Sequence, residues 1–199
     1  MAKRSFDVLV SLLALVVLSP VLGLIALAIK LDSPGPALFR QIRVGRQGLP
    51  FAILKFRTMV RDADRLAPNV SPSNDPRVTR VGGFLRSWHF DELPQLVNVL
   101  VGDMSLVGPR PETPEYVALY TPEERRVLQV RPGLVGPSTL AFMDEAEALA
   151  GSGDPEAHYI GRILHERVRL DLEYLDRRSL PYDLAVLFRQ AVAIVRTRG

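Results

Sequence analysis

From Val8 to Ile29 the chain carries no charge (VLVSLLALVVLSPVLGLIALAI). A run of this length must be shielded from water, and about twenty apolar residues suffice for a helix to cross the hydrocarbon core of a bilayer. A secretory signal peptide is excluded, because its apolar region is shorter and a small-residue cleavage site would follow. Two features argue against simple crossing. Ser19-Pro20 lies in the middle of the run, where proline removes one backbone hydrogen bond and crowds the preceding turn. The serine hydroxyl can bond back to a carbonyl one turn earlier and favour a bend. Positive charge also flanks both ends, with Lys3 and Arg4 before the run and Lys30, Arg40 and Arg43 after it. The positive-inside rule therefore draws both flanks to the cytoplasmic side. A helix broken at Ser19-Pro20 that enters and leaves by one face satisfies both observations, while a proline-kinked spanning helix remains the alternative. A break would free backbone groups that cannot face lipid unpaired, so Ser19 and packing on the body would have to cover them. Asp32-Ser33-Pro34-Gly35-Pro36 then turns the chain out of the membrane. The division expected is a membrane segment over 1–36 and a water-exposed domain over 37–199.

The remaining length is about one domain's worth, and 24% charged residues suit a soluble body carrying a membrane element. The chain has no cysteine, which excludes disulfides and thiolate metal sites. His89, His158 and His165 lack zinc-site spacing, so any metal chemistry would run on carboxylates and favour hard cations. Net charge is only +3, but Arg40, Arg43, Arg46, Lys55, Arg57, Arg61 and Arg65 cluster just after the apolar run, against Asp62 and Asp64 alone. Such a zone points to anionic headgroups or a phosphorylated substrate, a solvated face being the plainer reading. Nucleic acid is not expected as a partner, since nothing resembles a recognition helix.

Residues 37–60 alternate apolar and polar and are interrupted at Gly45 and Gly48-Leu49-Pro50, a hairpin signature. Residues 61–76 read as a polar surface loop. From Trp88 the pattern turns helical, and because Pro94 fits only a first turn, this helix should begin around Asp91 to Leu93. Thr121 caps a helix over 121–130 that Arg131-Pro132-Gly133 ends. A charged helix over 158–178 carries Ile163, Leu164, Val168, Leu172 and Leu175 on one face. Pro181-Tyr182-Asp183 opens a last helix, whose stripe of Leu184, Leu187, Phe188, Ala191 and Val195 reads as core rather than as a membrane-surface face. The fold class expected is α+β.

The chemistry gathers around Asp91 and Glu92. Adjacent on a helix, their side chains diverge by about 100° and cannot share one task. One can face a reacting phosphorus while the other holds a metal. The positive end of a helix dipole keeps carboxylates there ionised, and an aspartate can attack a phosphoryl group to form an acyl phosphate. Magnesium and arginines would stabilise the charge that builds on the oxygens. Acids at a helix start are usually mere caps; the neighbours change that reading. Arg77, Arg80 and Arg86 precede the pair, and Arg110 follows between Pro109 and Pro111, in a rigid segment suited to presenting a guanidinium to phosphate. Gly82-Gly83 and Gly108 permit close backbone approach to a ligand.

The ordered motifs Lys3-Arg4-x-Phe6-Asp7, Ser19-Pro20, Phe39-Arg40-Gln41-x-Arg43-Val44-Gly45, Lys55-Phe56-Arg57-Thr58-Met59 and Asp75-Pro76-Arg77-x-Thr79-Arg80 continue through Asp91-Glu92-Leu93-Pro94-Gln95, Asn98-Val99-Leu100, Gly102-Asp103-Met104-Ser105 and Gly108-Pro109-Arg110-Pro111. Together they closely resemble the bacterial sugar transferase family, the monotopic phosphoglycosyl transferases, densely over residues 3–136 and loosely beyond. The resemblance implies transfer of a sugar 1-phosphate from a nucleoside diphosphate sugar, a UDP-sugar, to polyprenyl (undecaprenyl) phosphate, with release of UMP. It implies Asp91 as nucleophile through a covalent phosphosugar intermediate, and Glu92 as the magnesium-associated partner. Lys55, Arg57, Arg86 and Arg110, with Pro109 and Pro111 holding the last, are the phosphate contacts expected. A re-entrant helix broken at Ser19-Pro20, helices lying along the interface, and a catalytic domain on the cytoplasmic face of a bacterial inner membrane complete the expectation. A homodimer is left open.

The chain departs from the family's usual pattern at Trp88-His89-Phe90, where a small polar residue and a leucine are common. His89 reads as a packing or surface residue rather than a general base. Pro132 to Thr139 lacks a glutamine often found after the Pro-Gly-x-x-Gly turn, which bears on sugar or nucleotide specificity. With no further membrane helix before Lys3, the chain looks like a minimal catalytic form. The rival reading is a non-catalytic, membrane-anchored phosphate- or lipid-binding module that recruits partner enzymes.

Overall fold

The computed structural model describes residues 2–63 and 71–198, so part of the expected surface loop lies outside the described residues. The apolar run forms α1 (Ala2–Asp32), one helix that continues through Pro20. The expected break is not there, and the reason is local. Pro20 has no amide to offer the carbonyl one turn back, that of Val16. The Ser19 hydroxyl donates to that same Val16 carbonyl at 2.8 Å. The serine thus satisfies the acceptor that the proline orphans, and the helix has no need to open.

One face of α1 lies against the body along its whole length. Phe6, Val10, Ala14, Leu15 and Leu18 pack on a core of Leu96, Val99, Met104, Leu106 and Val107. Further on, Leu22, Ile25 and Ala26 join Ile29, Phe56 and Leu85 in a second core. Both ends are tied down by polar contacts. At the start, Arg4 donates to the carbonyls of Val99 (2.6 Å) and Leu100 (2.9 Å), and the buried Asp7 carboxylate accepts from Ser105 Oγ (2.8 Å) and Leu106 N (3.2 Å). At the finish, Asp32 accepts the Val81 amide at 3.1 Å, and Arg57 donates to Ser33 and Pro34. The opposite face exposes Leu9, Leu13, Val16, Val17, Leu24, Leu27 and Leu31.

The expected hairpin forms as β1 (Leu38–Val44) antiparallel to β2 (Pro50–Phe56), paired Phe39 to Lys55, Gln41 to Ile53 and Arg43 to Phe51. Directly paired residues share a face, so Arg43 and Lys55 look the same way while Arg40 lies on the other side. Next comes α2 (Arg80–Ser87), capped by Thr79, a helix the sequence pattern did not announce. Gly82 explains it: a Cβ there would sit 2.0 Å from the Thr58 carbonyl oxygen, so the helix must present bare backbone to that strand end. The glycine expected to approach a ligand approaches the protein instead. Gly108 does likewise, since a Cβ on it would lie 2.7 Å from the Arg131 carbonyl oxygen.

After α2 the chain makes a 3-10 turn over Phe90–Glu92, and α3 (Gln95–Val101) follows. The dyad therefore sits one turn ahead of the helix rather than inside it. Asn98 on α3 staples the hairpin to this region: it accepts the Leu54 amide at 2.9 Å and donates to the Ala52 carbonyl at 2.8 Å. A short parallel pair, β3 (Ser105–Val107) with β4 (Gly133–Val135), lies beneath. Between them run α4 (Pro114–Ala118) and a 3-10 segment (Glu124–Gln129) where an α-helix was expected. The Thr121 cap does form, its Oγ1 accepting the Glu124 amide at 3.2 Å.

The C-terminal third is helical: α5 (Pro137–Ala141), α6 (Glu145–Ala150) and α7 (Pro155–His158), which runs through a π segment (Tyr159–Leu164) into α8 (His165–Arg177). Ile163, Leu164 and Val168 are buried as their spacing predicts. In α9 (Leu180–Arg198) the outcome reverses the expectation for most of the stripe. Asp183, Val186 and Gln190 are buried, whereas Leu184, Phe188 and Val195 are exposed, Phe188 by 71%. The polar face turns inward because Asp183 is held by Lys3 and by the Tyr174 hydroxyl (2.7 Å). Of the apolar stripe, Leu187 packs on the core as expected, while Leu184, Phe188, Ala191 and Val195 are left outside. The whole is an α+β fold with one long apolar helix laid along it.

Candidate active site

His89 adopts a left-handed backbone at φ 55°, and this reversal sets the 3-10 turn that carries Asp91 and Glu92. Neighbours in a 3-10 turn point about 120° apart, so the two carboxylates meet different surroundings. Glu92 turns toward the hairpin and the Pro109-Arg110-Pro111 segment. Lys55 Nζ donates to its Oε1 at 2.9 Å, and Arg110 Nη2 lies 3.5 Å from the same oxygen. Burial would raise the Glu92 carboxyl, but the Lys55 and Arg110 charges outweigh it and hold the group well below the usual carboxylate range. Asp91 has no ion pair among the described residues and is 9% exposed. Burial first, and then the Glu92 charge, push its carboxyl up to about 6, against the pull of Lys55 and Arg86.

Arg110 is itself held in place. Its backbone amide donates to the buried Asp171 carboxylate at 3.0 Å. Arg43 donates to the Pro111 carbonyl (3.2 Å) and to Glu112 (3.3 Å), and Glu112 accepts the Tyr159 hydroxyl at 2.8 Å. Pro109 accepts the Gly133 amide at 2.8 Å. Burial opposes the Arg110 charge, yet Glu92, Glu145 and Glu112 raise its pKa above the ordinary value. The guanidinium is thus fixed in position and in charge.

These groups border a recess lined by Arg43, Ile53, Lys55, Glu92, Gln95, Arg110, Pro111 and Gly133. Three cations and one acid on a small recess make a receptor for a polyanion. Among the described residues no cluster of three or more acidic or histidine side chains is gathered for a metal. The dyad does offer hard oxygen donors, and magnesium is typically held by one or two carboxylates completed by substrate phosphates and water. The residues present fit that mode of binding.

Of the residues singled out in the sequence, Glu92, Lys55, Arg110 and Pro111 line this recess; Asp91 adjoins Glu92 without lining it, and Pro109 lines a neighbouring recess with Arg110 and Pro111. Arg86 stands behind Asp91, donating to Thr58 Oγ1 (2.8 Å) and Ser71 Oγ (2.7 Å). Arg57 is elsewhere: its guanidinium binds the Ser33 (2.8 Å) and Pro34 (3.0 Å) carbonyls and fastens the end of α1. Ser19 and Pro20 lie mid-helix on the exposed face. Arg43, Gln95 and Asp171 were not picked out as site residues. The period-two alternation of β1 could have found Arg43, since it puts Arg43 on the inner face and Arg40 on the outer. Asp171 gave no local signal, because its partner is a backbone amide 61 positions away.

The sequence profile of the bacterial sugar transferase family matches residues 1–197. The chain is 42% identical over 98% of its length to the UDP-glucose:undecaprenyl-phosphate glucose-1-phosphate transferase of Caulobacter vibrioides, covering 70% of that protein. It is 38% identical over 94% of its length to the protein of the same description in Escherichia coli, but spans only 38% of that longer chain. To the exopolysaccharide production protein PSS of Rhizobium leguminosarum it is 40% identical, over 99% of this chain and 96% of the relative.

Proposed function

Because the chain belongs to the bacterial sugar transferase family, we propose that it moves a sugar 1-phosphate from a UDP-sugar to a polyprenyl phosphate, with Asp91 as the covalent nucleophile. The observation that carries this reading is the division of labour in the dyad. Glu92 is committed to Lys55 and Arg110, whereas the adjacent Asp91 has no ion pair among the described residues and stays available to attack.

In the first half-reaction a carboxylate oxygen of Asp91 attacks the phosphorus that bears the sugar. The bond from that phosphorus to the bridging oxygen breaks, and UMP departs with the oxygen. An acyl phosphosugar on Asp91 remains. In the second, a phosphate oxygen of the polyprenyl phosphate attacks the same phosphorus, giving a polyprenyl diphosphosugar and regenerating the carboxylate. Lys55, Arg110 and Arg43 line the recess where phosphate oxygens would lie, and donors fixed before the reaction stabilise developing charge without reorganising. Asp171 and Glu112 keep Arg110 and Arg43 in register. Glu92, with diphosphate oxygens of the donor, would hold Mg2+, whose role when bound is to neutralise the charge that builds on the phosphate of the departing UMP. Arg57 belongs to the support of α1 in this scheme.

Both ends of α1 are bonded to one body while its outer face stays apolar, which supports a helix embedded from a single side rather than one that carries its ends to opposite faces. With the flanking positive charge, this supports a domain lying at the cytoplasmic surface of the inner membrane. The names of the Caulobacter and E. coli relatives make UDP-glucose the first donor to try. Incubation of the full chain with a panel of UDP-sugars, Mg2+ and undecaprenyl phosphate tests the reading. UMP release that Asp91→Asn abolishes supports it. Lipid binding that survives the substitution, with no UMP from any donor, would establish a recruiting module instead.

A further inference from the structure

We propose that Phe84, Trp88 and Phe90 form a subsite for the first isoprene units of the acceptor lipid. This inference rests on the transferase reading above. The three rings make one group: Trp88 stacks on Phe90 with centroids 6.1 Å apart and planes at 24°, and Phe84 lies 6.5 Å from Trp88 and 6.4 Å from Phe90. Residues two apart on a helix face opposite ways. Trp88 and Phe90 stack only because His89 between them is left-handed, a conformation that costs energy for a non-glycine residue. The strain buys a continuous aromatic surface. Phe84 is 57% exposed, and Trp88 and Phe90 are half-buried, so the group keeps an outward face although Phe90 also meets a core.

Two observations select a prenyl chain as the occupant. Phe90 directly precedes Asp91, so the aromatic surface begins where the acceptor phosphate must react. Phe90 also packs against the core of Ile29, Phe56 and Leu85, on which Leu22, Ile25 and Ala26 of α1 pack too, and the other side of α1 exposes Leu24, Leu27 and Leu31. The rings therefore extend the apolar surface of α1 up to the nucleophile. A ligand following that path is charged at one end, near Asp91 and Arg86, and apolar along the rest. A polyprenyl phosphate has this build, and the donor, a water-soluble nucleotide sugar, does not.

The test compares the full chain with Phe84→Ala/Trp88→Ala, and with the milder Trp88→Leu, which keeps an apolar side chain. Each is given UDP-glucose, then either undecaprenyl phosphate or a two-isoprene prenyl phosphate in mixed micelles. Loss of two apolar contacts should raise KM for the long acceptor about tenfold in the double variant and less in Trp88→Leu. KM for the two-isoprene acceptor should rise by a similar factor, since it carries the same first units, and covalent labelling of the enzyme by donor alone should be retained. An unchanged KM for the long acceptor overturns the inference, and so does a loss confined to the long acceptor or a loss of donor labelling in Trp88→Leu. If the parent chain labels with donor but no variant raises KM for either acceptor, only the subsite fails. If the parent never labels with any donor, the transferase reading fails with it.

Discussion

Lys55 Nζ lies 2.9 Å from Glu92 Oε1, and this contact separates two neighbouring carboxylates into different roles. Glu92 is held ionised by a cation from the hairpin, while Asp91 has no ion pair among the described residues. Lys55→Met should therefore do more than remove one positive charge from the recess. It leaves a buried carboxylate with only Arg110 at 3.5 Å, and stripping one partner from a buried pair costs about 3 kcal/mol or more. The expected result is a lowered Tm together with a loss of UMP release of about a hundredfold or more. Thermal unfolding and a UMP assay on the same preparation check both.

The Asp171 carboxyl is pushed up to about 7, chiefly by burial. Its ordinary value is 3.8, so between those values the folded protein binds more protons at this site than the unfolded chain does. The contribution to stability is fully present below the unfolded value and is lost as pH rises through about 7. Asp171→Asn can still accept the Arg110 amide but cannot ionise. Its Tm relative to the parent should accordingly rise as pH goes from 5 to 8. A difference that stays flat over this range would contradict the assignment.

Ser19 and Pro20 should be coupled through Val16. Ser19→Ala leaves the Val16 carbonyl without a donor on the exposed apolar face, at a cost of about 1–3 kcal/mol. Pro20→Ala restores the backbone donor. In the Pro20→Ala background, Ser19→Ala should therefore cost almost nothing. A double-mutant cycle on thermal stability in detergent measures this coupling.

The exposed stripe of α9 predicts a membrane-facing surface. Phe188→Asp changes a side chain that is 71% exposed, so stability should move by no more than about 0.5 kcal/mol. Binding to vesicles should weaken if this stripe lies in the interface, as its apolar periodicity suits. Flotation with liposomes, alongside unfolding curves, tells the two effects apart.

Much of this was legible from the chain, and the exceptions share a cause. The hairpin announced itself through strict alternation and two glycines, and Asp91, Glu92, Lys55 and Arg110 through their company. The α9 stripe was misread because Leu184, Phe188 and Val195 have the same spacing whether they face a core or a membrane. What decided the matter was Asp183, buried through contacts with Lys3 and Tyr174, a pairing across 180 positions that no local pattern reveals. Helix α2 was hidden by Gly82-Gly83, which lower helix propensity; Gly82 is there for contact with Thr58. Arg57 had the composition of a phosphate ligand, but its partners are carbonyls in the turn after α1. Strands β3 and β4, three residues each, are too short for any periodicity to show.

The central claim is that the Asp91 carboxylate carries the sugar phosphate between donor and acceptor. Its most direct test is mass spectrometry of the protein after incubation with UDP-glucose and Mg2+ and without acceptor lipid. The account predicts an added hexose phosphate on the peptide containing Asp91, removed on adding undecaprenyl phosphate and absent in Asp91→Asn. An unmodified Asp91 in a preparation that turns over UDP-glucose, or an adduct on any other residue, would contradict it.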